Sequence, residues 1–330
     1  MRWRSPHLVL FFFLAFLVGE ATVSGFKICA YNVQKFNFKK ASNLVLMHTL
    51  TRILSRCDIC LLQEVMDPDG KAIKALLSSL NRYDSYTYKS VSSKSLGNDP
   101  KDMQQYVFIY SESGACVCWL STSTRSRTPS PESRSPFTLK ATKPTRLTFA
   151  LPPFVLPLSL LPVLVVPAAI RKFILVPLHT NPNTTVQEID RLYDVFVEVR
   201  KKWDNENVMF LGDFHASCAY MTRNDKKDIR LFKSEFIWLI GDREDTTVPD
   251  NTNCAYDRIV VHGKSFLEAI SPFSARVFNF GKLFKLSKSK VVKISNHYPV
   301  EVKLKSSALL LQATPLLILL AIVQSFLSAL

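Results

Sequence analysis

The chain has 330 residues, with 42 lysines and arginines against 27 acidic side chains (formal net charge +15), 47% hydrophobic residues and seven cysteines. The odd cysteine count excludes complete pairing within one chain, so at least one thiol is free or joined to another molecule. The length admits one large α/β domain between two terminal address segments, and the excess of positive charge suits a polyanionic partner: nucleic acid, acidic glycan or anionic lipid.

At the N-terminus Arg2 and Arg4 precede an unbroken apolar run over residues 8–18. This is the basic n-region and apolar h-region of a secretory signal peptide, and it is too short for a span, which needs ~20 apolar residues. Val23-Ser24-Gly25 offers small residues for cleavage, so 1–25 is read as the signal and the domain as 26–305. Loss of Arg2, Arg4 and Glu20 leaves 40 basic against 26 acidic residues, a net +14.

Residues 26–32 read as a first strand ending in Asn32. Over 42–56, Leu44, Met47, Leu50 and Leu54 keep helical spacing. Residues 58–65 form a near-continuous apolar strand broken by Gln63-Glu64. An ionised carboxylate is costly to bury unpaired, so Glu64 belongs at the strand's open end or against a cation. Cys57 and Cys60 have CxxC spacing but lead straight into that strand with no helix start beside them, which argues against a redox motif. Asp67-Pro68-Asp69-Gly70 turns the chain into a helix over 71–82, with Ile73, Leu76, Leu77 and Leu80 on one stripe. Residues 83–91 alternate like a half-exposed strand, 92–100 are loop, and 105–110 form a strand on which Gln104, Tyr106, Phe108 and Tyr110 share a face.

The rhythm breaks over 111–171. Residues 121–136 are rich in Ser, Thr, Arg and Pro and read as loop or disorder. Residues 151–169 are apolar but studded with prolines, which argue against a regular helix or central strand. Order returns at 172–179, a strand ending in His179. Asn183-Thr184-Thr185 is an N-glycosylation sequon, and Thr185 with Glu188 has capping-box spacing for a helix carrying Ile189, Leu192, Tyr193, Phe196 and Trp203. In 207–215 four apolar residues run into Gly212-Asp213-Phe214-His215, a buried strand that delivers a carboxylate and an imidazole to a rim. Gly212 is expected to let the backbone turn and a ligand come close. A short apolar element follows at 232–241, then strands at 257–261 and 299–304, the last turning Val300, Val302 and Leu304 inward. Cys218 and Cys254 lie beside candidate site strands and are the better disulfide candidates. Ser306-Ser307-Ala308 precedes an apolar tail to residue 330, read as a GPI-attachment signal or a C-terminal membrane helix. Either one tethers the protein outside the cytosol, at a cell surface or endomembrane.

Alternating strands and helices without a glycine-rich phosphate loop indicate a layered α/β sandwich and exclude a dinucleotide fold. Six strand ends carry Asn32, Glu64, His179, Asp213, Asp257 and His297. Singly, each has an ordinary explanation as a core histidine, a turn or a cap. Together, carboxylates with two histidines point to metal-assisted hydrolysis, and oxygen ligands favour Mg²⁺ or Ca²⁺ over zinc.

On the segments 26–32, 58–65, 192–196, Gly212-Asp213-Phe214, Asp245-Thr246-Thr247, 253–260 and 297–302, the chain resembles the DNase I family of secreted endonucleases. The likeness covers roughly 26–110 and 173–305, and the apolar tail makes it nearest to the membrane-anchored DNase I-like 1 branch. The resemblance implies a four-layer α/β/β/α sandwich and Mg²⁺/Ca²⁺-dependent hydrolysis of DNA phosphodiesters by a monomer. It implies that His179 and His297 are the acid–base pair at the scissile phosphate and that Asp257 orients His297. Glu64 becomes the main Mg²⁺ ligand, with Asn32 and Asp213 helping to hold metal and phosphate, and Cys218 pairs with Cys254. DNA is the implied partner, and actin is a partner of some members.

Three residues depart from the family pattern. Gln104 stands where the family has Glu, His215 where it has Asn at a phosphate contact, and Asn296 where it has Asp in the metal site. Gln104 can accept a hydrogen bond from His179 but lends no charge, and Asp102 is the alternative partner. The family's Arg-Glu-Pro segment is missing, with Thr142-Lys143-Pro144 in its place. The expectation is an exported endonuclease of reduced activity. Its rivals are a catalytically silent DNA- or protein-binding member, and another phosphodiesterase of the same superfold, such as a sphingomyelinase or inositol phosphatase.

Overall fold

A computed structural model describes residues 25–97, 102–112, 116–122, 137–142, 170 and 172–305. The signal and tail segments, most of 121–136 and all of 151–169 lie outside the described residues.

The first sheet contains β1 (Phe26–Phe36), β2 (Ile59–Val65), β3 (Tyr88–Ser92), β4 (Gln105–Ser111), β11 (Arg276–Val277) and β12 (Val300–Leu304), in the order β11-β12-β1-β2-β4-β3. The second contains β5 (Cys116–Thr122), β6 (Phe137–Thr142), β7 (Lys172–Pro177), β8 (Val208–Asp213), β9 (Ile237–Trp238) and β10 (Asp257–His262), in the order β5-β6-β7-β8-β10-β9. Two parallel pairs, β1 with β2 and β7 with β8, sit at the middle of the sheets.

The near-continuous apolar strands reflect burial on both faces. On β1, β2 and β4, the residues Cys29, Tyr31, Cys60, Leu62, Val107 and Ile109 join one core with α1 (Phe38–Ala41), α2 (Leu44–Leu54) and α3 (Lys71–Tyr83). On β7, β8 and β10, Ile174, Val176, Val208, Phe210 and Val260 join a second core with α4 (Thr185–Trp203). Alternation turns the intervening residues, such as Ile28, Ala30, Leu61, Phe173, Leu175, Met209 and Leu211, to the opposite faces, where the two sheets meet. Phe26 and Phe173 touch edge-on across that layer, with centroids 6.2 Å apart. Gln63 crosses it too, donating to the Leu178 carbonyl at 2.6 Å and accepting from Asp213 N at 2.8 Å. This is the expected four-layer sandwich.

Several boundaries differ from the sequence expectation. The helix expected over 42–56 is α2, which Asn43 caps by accepting from Leu46 N, and the short α1 before it, capped by Asn37 accepting from Lys40 N, was not foreseen. The strand expected from 83 begins only at Tyr88, since α3 runs on to Tyr83. The irregular stretch contributes β5 and β6, which extend the second sheet beyond β7. Thr184, not Thr185, pairs with Glu188, donating to Oε1 at 2.6 Å, while Thr185 donates to the Asn181 carbonyl. Short elements were not foreseen at α5 (Lys264–Ala269), α6 (Phe280–Leu283), α7 (Lys288–Ile294) and β11.

Cys218 and Cys254 are joined, as are Cys29 and Cys57, a pair the sequence did not single out. Two disulfides fit an oxidising, exported setting. Cys60, the other half of the CxxC spacing, is free and buried, and burial pushes its thiol far above the ordinary range.

Candidate active site

The site lies where the inter-sheet rows run out. Ile28 and Ala30 lead to Asn32, Leu61 leads to Gln63, and Met209 and Leu211 lead to Asp213; all three end residues are fully buried. Because β10 runs antiparallel to β8, its first residue, Asp257, pairs with the last residue of β8, Asp213. His179 follows β7 by two residues, and its N–H donates to the Tyr106 hydroxyl at 2.9 Å. His297 precedes β12; its N–H donates to Ser295 Oγ, which in turn donates to the Asn32 carbonyl at 2.6 Å. Five of the six predicted strand-end residues are therefore brought together by sheet geometry alone.

Glu64 reaches the site by breaking the alternation. Period two would aim it at the helices, but it has left-handed backbone (φ 54°) at a register shift in β2. Asn32 Nδ2 donates to Glu64 Oε1 at 2.9 Å and to Asp213 Oδ2 at 3.0 Å. Asn32 Oδ1 accepts from Gln34 N, and Glu64 Oε2 from Lys35 N, both residues left-handed. Asn32 thus clamps two carboxylates through its nitrogen, while its oxygen accepts from the backbone.

Asp213 is the electrostatic centre. Its Oδ2 lies 3.6 Å from Nε2 of both His179 and His297, and its Oδ1 lies 3.5 Å from His215 Nδ1. Burial works to raise its pKa, but His297, His215 and His179, with the Asn32 hydrogen bond, overcome it and hold the carboxylate well below the usual range. His297 Nδ1 is 2.8 Å from Asp257 Oδ2. Burial disfavours a charged imidazole, yet Asp257 and Asp213 outweigh it and raise His297 to about 9. Burial raises Asp257 in turn, so the buried pair holds its shared proton firmly. The His215 ring stacks on His179, with centroids 5.7 Å apart, and its Nδ1 meets Thr180 Oγ1 at 3.1 Å.

A cleft of about 870 Å³ opens beside Glu64 and Asn296 and is lined by Lys35, Lys39, Lys40, Lys290 and Lys293. Asn296 Oδ1 is buried and without a hydrogen-bond partner among the described residues. An orphaned amide oxygen and the Glu64 carboxylate lining one cleft are the kinds of donor a hard divalent cation takes, so these residues fit the implied metal. Lys40 is half-buried, and desolvation lowers its pKa to about 8. It donates to the carbonyls of Val33, Gln34 and Ile294, tying the end of β1 to α7.

Three expectations change. A Cβ at Gly212 would lie 2.4 Å from the Leu178 carbonyl and 2.6 Å from Gln63 Nε2, so the glycine makes room for the inter-sheet glutamine, not for a ligand. Asp102 forms an ion pair with Lys35 at 3.2 Å instead of standing in beside His179. Gln104 is buried, and its Oε1 has no hydrogen-bond partner among the described residues. Sequence reasoning missed Gln63, Tyr106, Thr180, Ser295 and Lys40. The only available signal was a polar residue next to a strand end, which is too common to select them. Asn183 is exposed in the turn before α4.

A family model described as the endonuclease/exonuclease/phosphatase family matches residues 29–297. Human deoxyribonuclease-1-like 1 is 39% identical over 297 residues, covering 89% of each chain. Deoxyribonuclease gamma of Rattus norvegicus is 37% identical over 309 residues, covering 92% of this chain and 91% of its own. Deoxyribonuclease-1-like 2 of Mus musculus is 39% identical over 293 residues, covering 88% and 95%. Among solved structures, an endonuclease/exonuclease/phosphatase family protein from Leptotrichia buccalis matches with a TM-score of 0.54 at 13% identity, covering 85% of this chain and 99% of that one. A mannosyl-6-phosphatase from Bacteroides thetaiotaomicron matches with a TM-score of 0.53 at 13% identity, again covering 85% and 99%. At such identities these two likenesses concern the fold alone.

Proposed function

The chain belongs to the endonuclease/exonuclease/phosphatase family, among its DNase I-like members, and we propose that it is a divalent-cation-dependent endonuclease hydrolysing phosphodiester bonds of DNA. The observation that carries this is the pair of buried imidazoles, His179 and His297, each presenting Nε2 at 3.6 Å to one carboxylate oxygen, with His297 backed by Asp257 at 2.8 Å.

His297, bonded to a buried carboxylate, is built to hold a proton, so it donates from Nε2 to the leaving oxygen as the P–O bond breaks. His179 Nε2 takes the proton of the attacking water. Asp257 fixes the His297 tautomer and offsets the imidazolium charge. Glu64 and Asn296 would hold the divalent cation, Mg²⁺ with Ca²⁺ as a second activator, and Asn32 and Asp213 keep Glu64 in place. When bound, that cation neutralises charge developing on the phosphate oxygens. The lysines of the cleft supply sequence-independent attraction for the DNA backbone.

The readings of 1–25 as a signal, of the tail as a membrane tether and of Asn183 as a glycan site are kept as part of this proposal. Exposure of Asn183 supports the last. No helix among the described residues is long and apolar enough to cross a membrane.

The deciding experiment is plasmid nicking by the purified protein with Mg²⁺ and Ca²⁺, beside a His179→Ala control. Nicking lost in the control supports the proposal. A second outcome is motivated by the unpartnered Gln104 Oε1 and the charge missing at Asn296. Salt-sensitive DNA binding by folded protein without any nicking would make this a catalytically silent member that uses the same cleft.

A further inference from the structure

Lys40 lines the cleft with the other lysines, but its ammonium is committed inside the fold. Its three donors meet three carbonyls: Val33 at 3.0 Å, Gln34 at 2.5 Å and Ile294 at 2.9 Å. We propose that Lys40 is a positioning residue for the divalent cation. It orients the two peptide groups that hold Asn32 and Glu64 and ties them to the segment that carries Asn296. This role rests on the cation reading of Glu64 and Asn296 given above.

A trans peptide group is planar, and its carbonyl and N–H point in opposite directions. The Val33 carbonyl and the Gln34 N–H belong to one such group, and the Gln34 carbonyl and the Lys35 N–H to the next. Lys40 holds both groups by their carbonyl ends. At the opposite ends Gln34 N donates to Asn32 Oδ1 at 2.9 Å, and Lys35 N donates to Glu64 Oε2 at 3.1 Å. Each plane is pinned at both ends, and its tilt sets where the N–H aims. Gln34 and Lys35 are both left-handed, with φ of 48° and 52°. That region is unfavourable for any side chain other than glycine's. Without a hold on the carbonyls the pair relaxes toward ordinary backbone, and the two N–H groups turn away from Asn32 and Glu64. The positive charge on the carbonyl side also polarises both groups, which strengthens their N–H ends as donors.

The third bond reaches α7. Ile294 is the last residue of that helix, and its carbonyl belongs to the peptide group that leads into Ser295. The Ser295 hydroxyl donates to the Asn32 carbonyl and accepts from His297 N, with Asn296 between the two. One ammonium therefore links the supports of Glu64, Asn32 and Asn296.

A purely electrostatic role for Lys40 has the opposite consequence. The Glu64 charge is felt at Lys40, so an ammonium there repels a divalent cation, and its removal should tighten cation binding. Loss of positioning should weaken it. The sign of the change separates the two, and Lys39, exposed in the same cleft, supplies the comparison for charge alone.

The test uses the intact chain with Mn²⁺ as the probe, a cation that shares the oxygen preference of Mg²⁺. Binding is read without DNA, from loss of the free-ion electron paramagnetic resonance signal and from competition by Mg²⁺. Lys40→Met keeps the side chain's length and removes its donors and charge. It should weaken binding at least ~10-fold, as loss of an outer-shell partner does. Lys39→Met should bind as tightly as the parent or more tightly. Should Lys40→Met not fold, Lys40→Gln, which keeps an N–H donor, is read by the same criterion. In nicking assays the Mg²⁺ concentration for half-maximal rate should rise in Lys40→Met by the factor seen with Mn²⁺, and saturating Mg²⁺ should restore the parent's rate. Binding by Lys40→Met as tight as the parent's or tighter, equal weakening in Lys39→Met, or a rate that saturating Mg²⁺ does not restore would overturn the role. Mn²⁺ binding that Glu64→Gln leaves unchanged would remove the cation reading of Glu64, and this role with it. Binding that depends on both Glu64 and Lys40, in a protein that nicks nothing, would leave the positioning role standing and remove the hydrolytic function instead.

Discussion

Asp257→Asn is the most informative single change. Asparagine keeps the shape of the side chain and removes its charge from a position 2.8 Å from His297 Nδ1. His297 is raised to about 9, roughly 2.5 units above an ordinary imidazole, which at ~1.36 kcal/mol per unit is about 3 kcal/mol in favour of the imidazolium. Without Asp257, burial acts on His297 with only Asp213 and Glu64 to oppose it. The rate should fall by ~10²–10⁴, and the alkaline limb of the pH–rate profile should move from near 9 to the ordinary imidazole range or below. The same variant has a signature in stability. A histidine whose folded pKa exceeds its unfolded value stabilises fully below ~6.5, and that contribution disappears as pH rises through the folded value. The parent should therefore lose up to about 3 kcal/mol from this pair, counted once, between pH ~6.5 and ~9, and Asp257→Asn should not. Nicking rates across pH, with thermal melts at each pH, test both. An alkaline limb unmoved by the substitution would refute the assignment of His297 as a carboxylate-supported acid.

Other expectations follow from particular contacts. Gly212→Ala places a methyl 2.4 Å from the Leu178 carbonyl at a φ of +130°, so it should lose ~3 kcal/mol or more in denaturant unfolding; an alanine variant as stable as the parent contradicts the packing. Asn32→Ala leaves Glu64 and Asp213 without their shared donor and should cost ~1–3 kcal/mol and raise the Mg²⁺ concentration needed for half activity, read from metal titrations. Replacing Cys29 and Cys57 with serine opens a link spanning 28 residues and should cost about 3–4 kcal/mol by chain entropy, with nicking retained well below the melting point. Full stability under reducing conditions would argue against that bridge.

Much of the site was legible because it follows from two simple constraints. A carboxylate cannot be buried cheaply, so Glu64 after an apolar strand had to be at an open end or on a cation. A period of two then lines up residues on neighbouring strands, so Asn32, Asp213, Asp257 and His179 could be found from where the apolar runs stop. What could not be read was whatever depends on contacts between segments distant in the chain. Gly212 looked like room for a ligand until Gln63 from the other sheet was seen to fill it. Cys29 lies on β1 and Cys57 in the turn just before β2, its parallel neighbour, a proximity no local pattern encodes. Lys40 looked like one surface lysine among many, yet it donates to three carbonyls inside the fold. The short helices around residues 264–294 were invisible because none is long enough to show a hydrophobic period.

The backbone itself marks where chemistry and regular structure conflict. Of the eight non-glycine residues with left-handed backbone among the described residues, four, Gln34, Lys35, Glu64 and His215, lie on the site; Asp204, Cys218, Phe273 and Lys285 are the others. Each such residue costs ~1–2 kcal/mol, so together they oppose folding by several kcal/mol. The cost has a specific cause. Strict alternation delivers alternate residues of a strand to the inter-sheet face, and that supplies Asn32, Gln63 and Asp213 without strain. It cannot also deliver the next residue, yet Glu64 must join Asn32 at 2.9 Å, and Lys35 N must reach Glu64. A left-handed residue re-aims the chain by one position and solves this locally. Strain is placed at the positions whose side chains or N–H groups must leave the period, and the fully buried inter-sheet residues, which obey it, hold those positions in register.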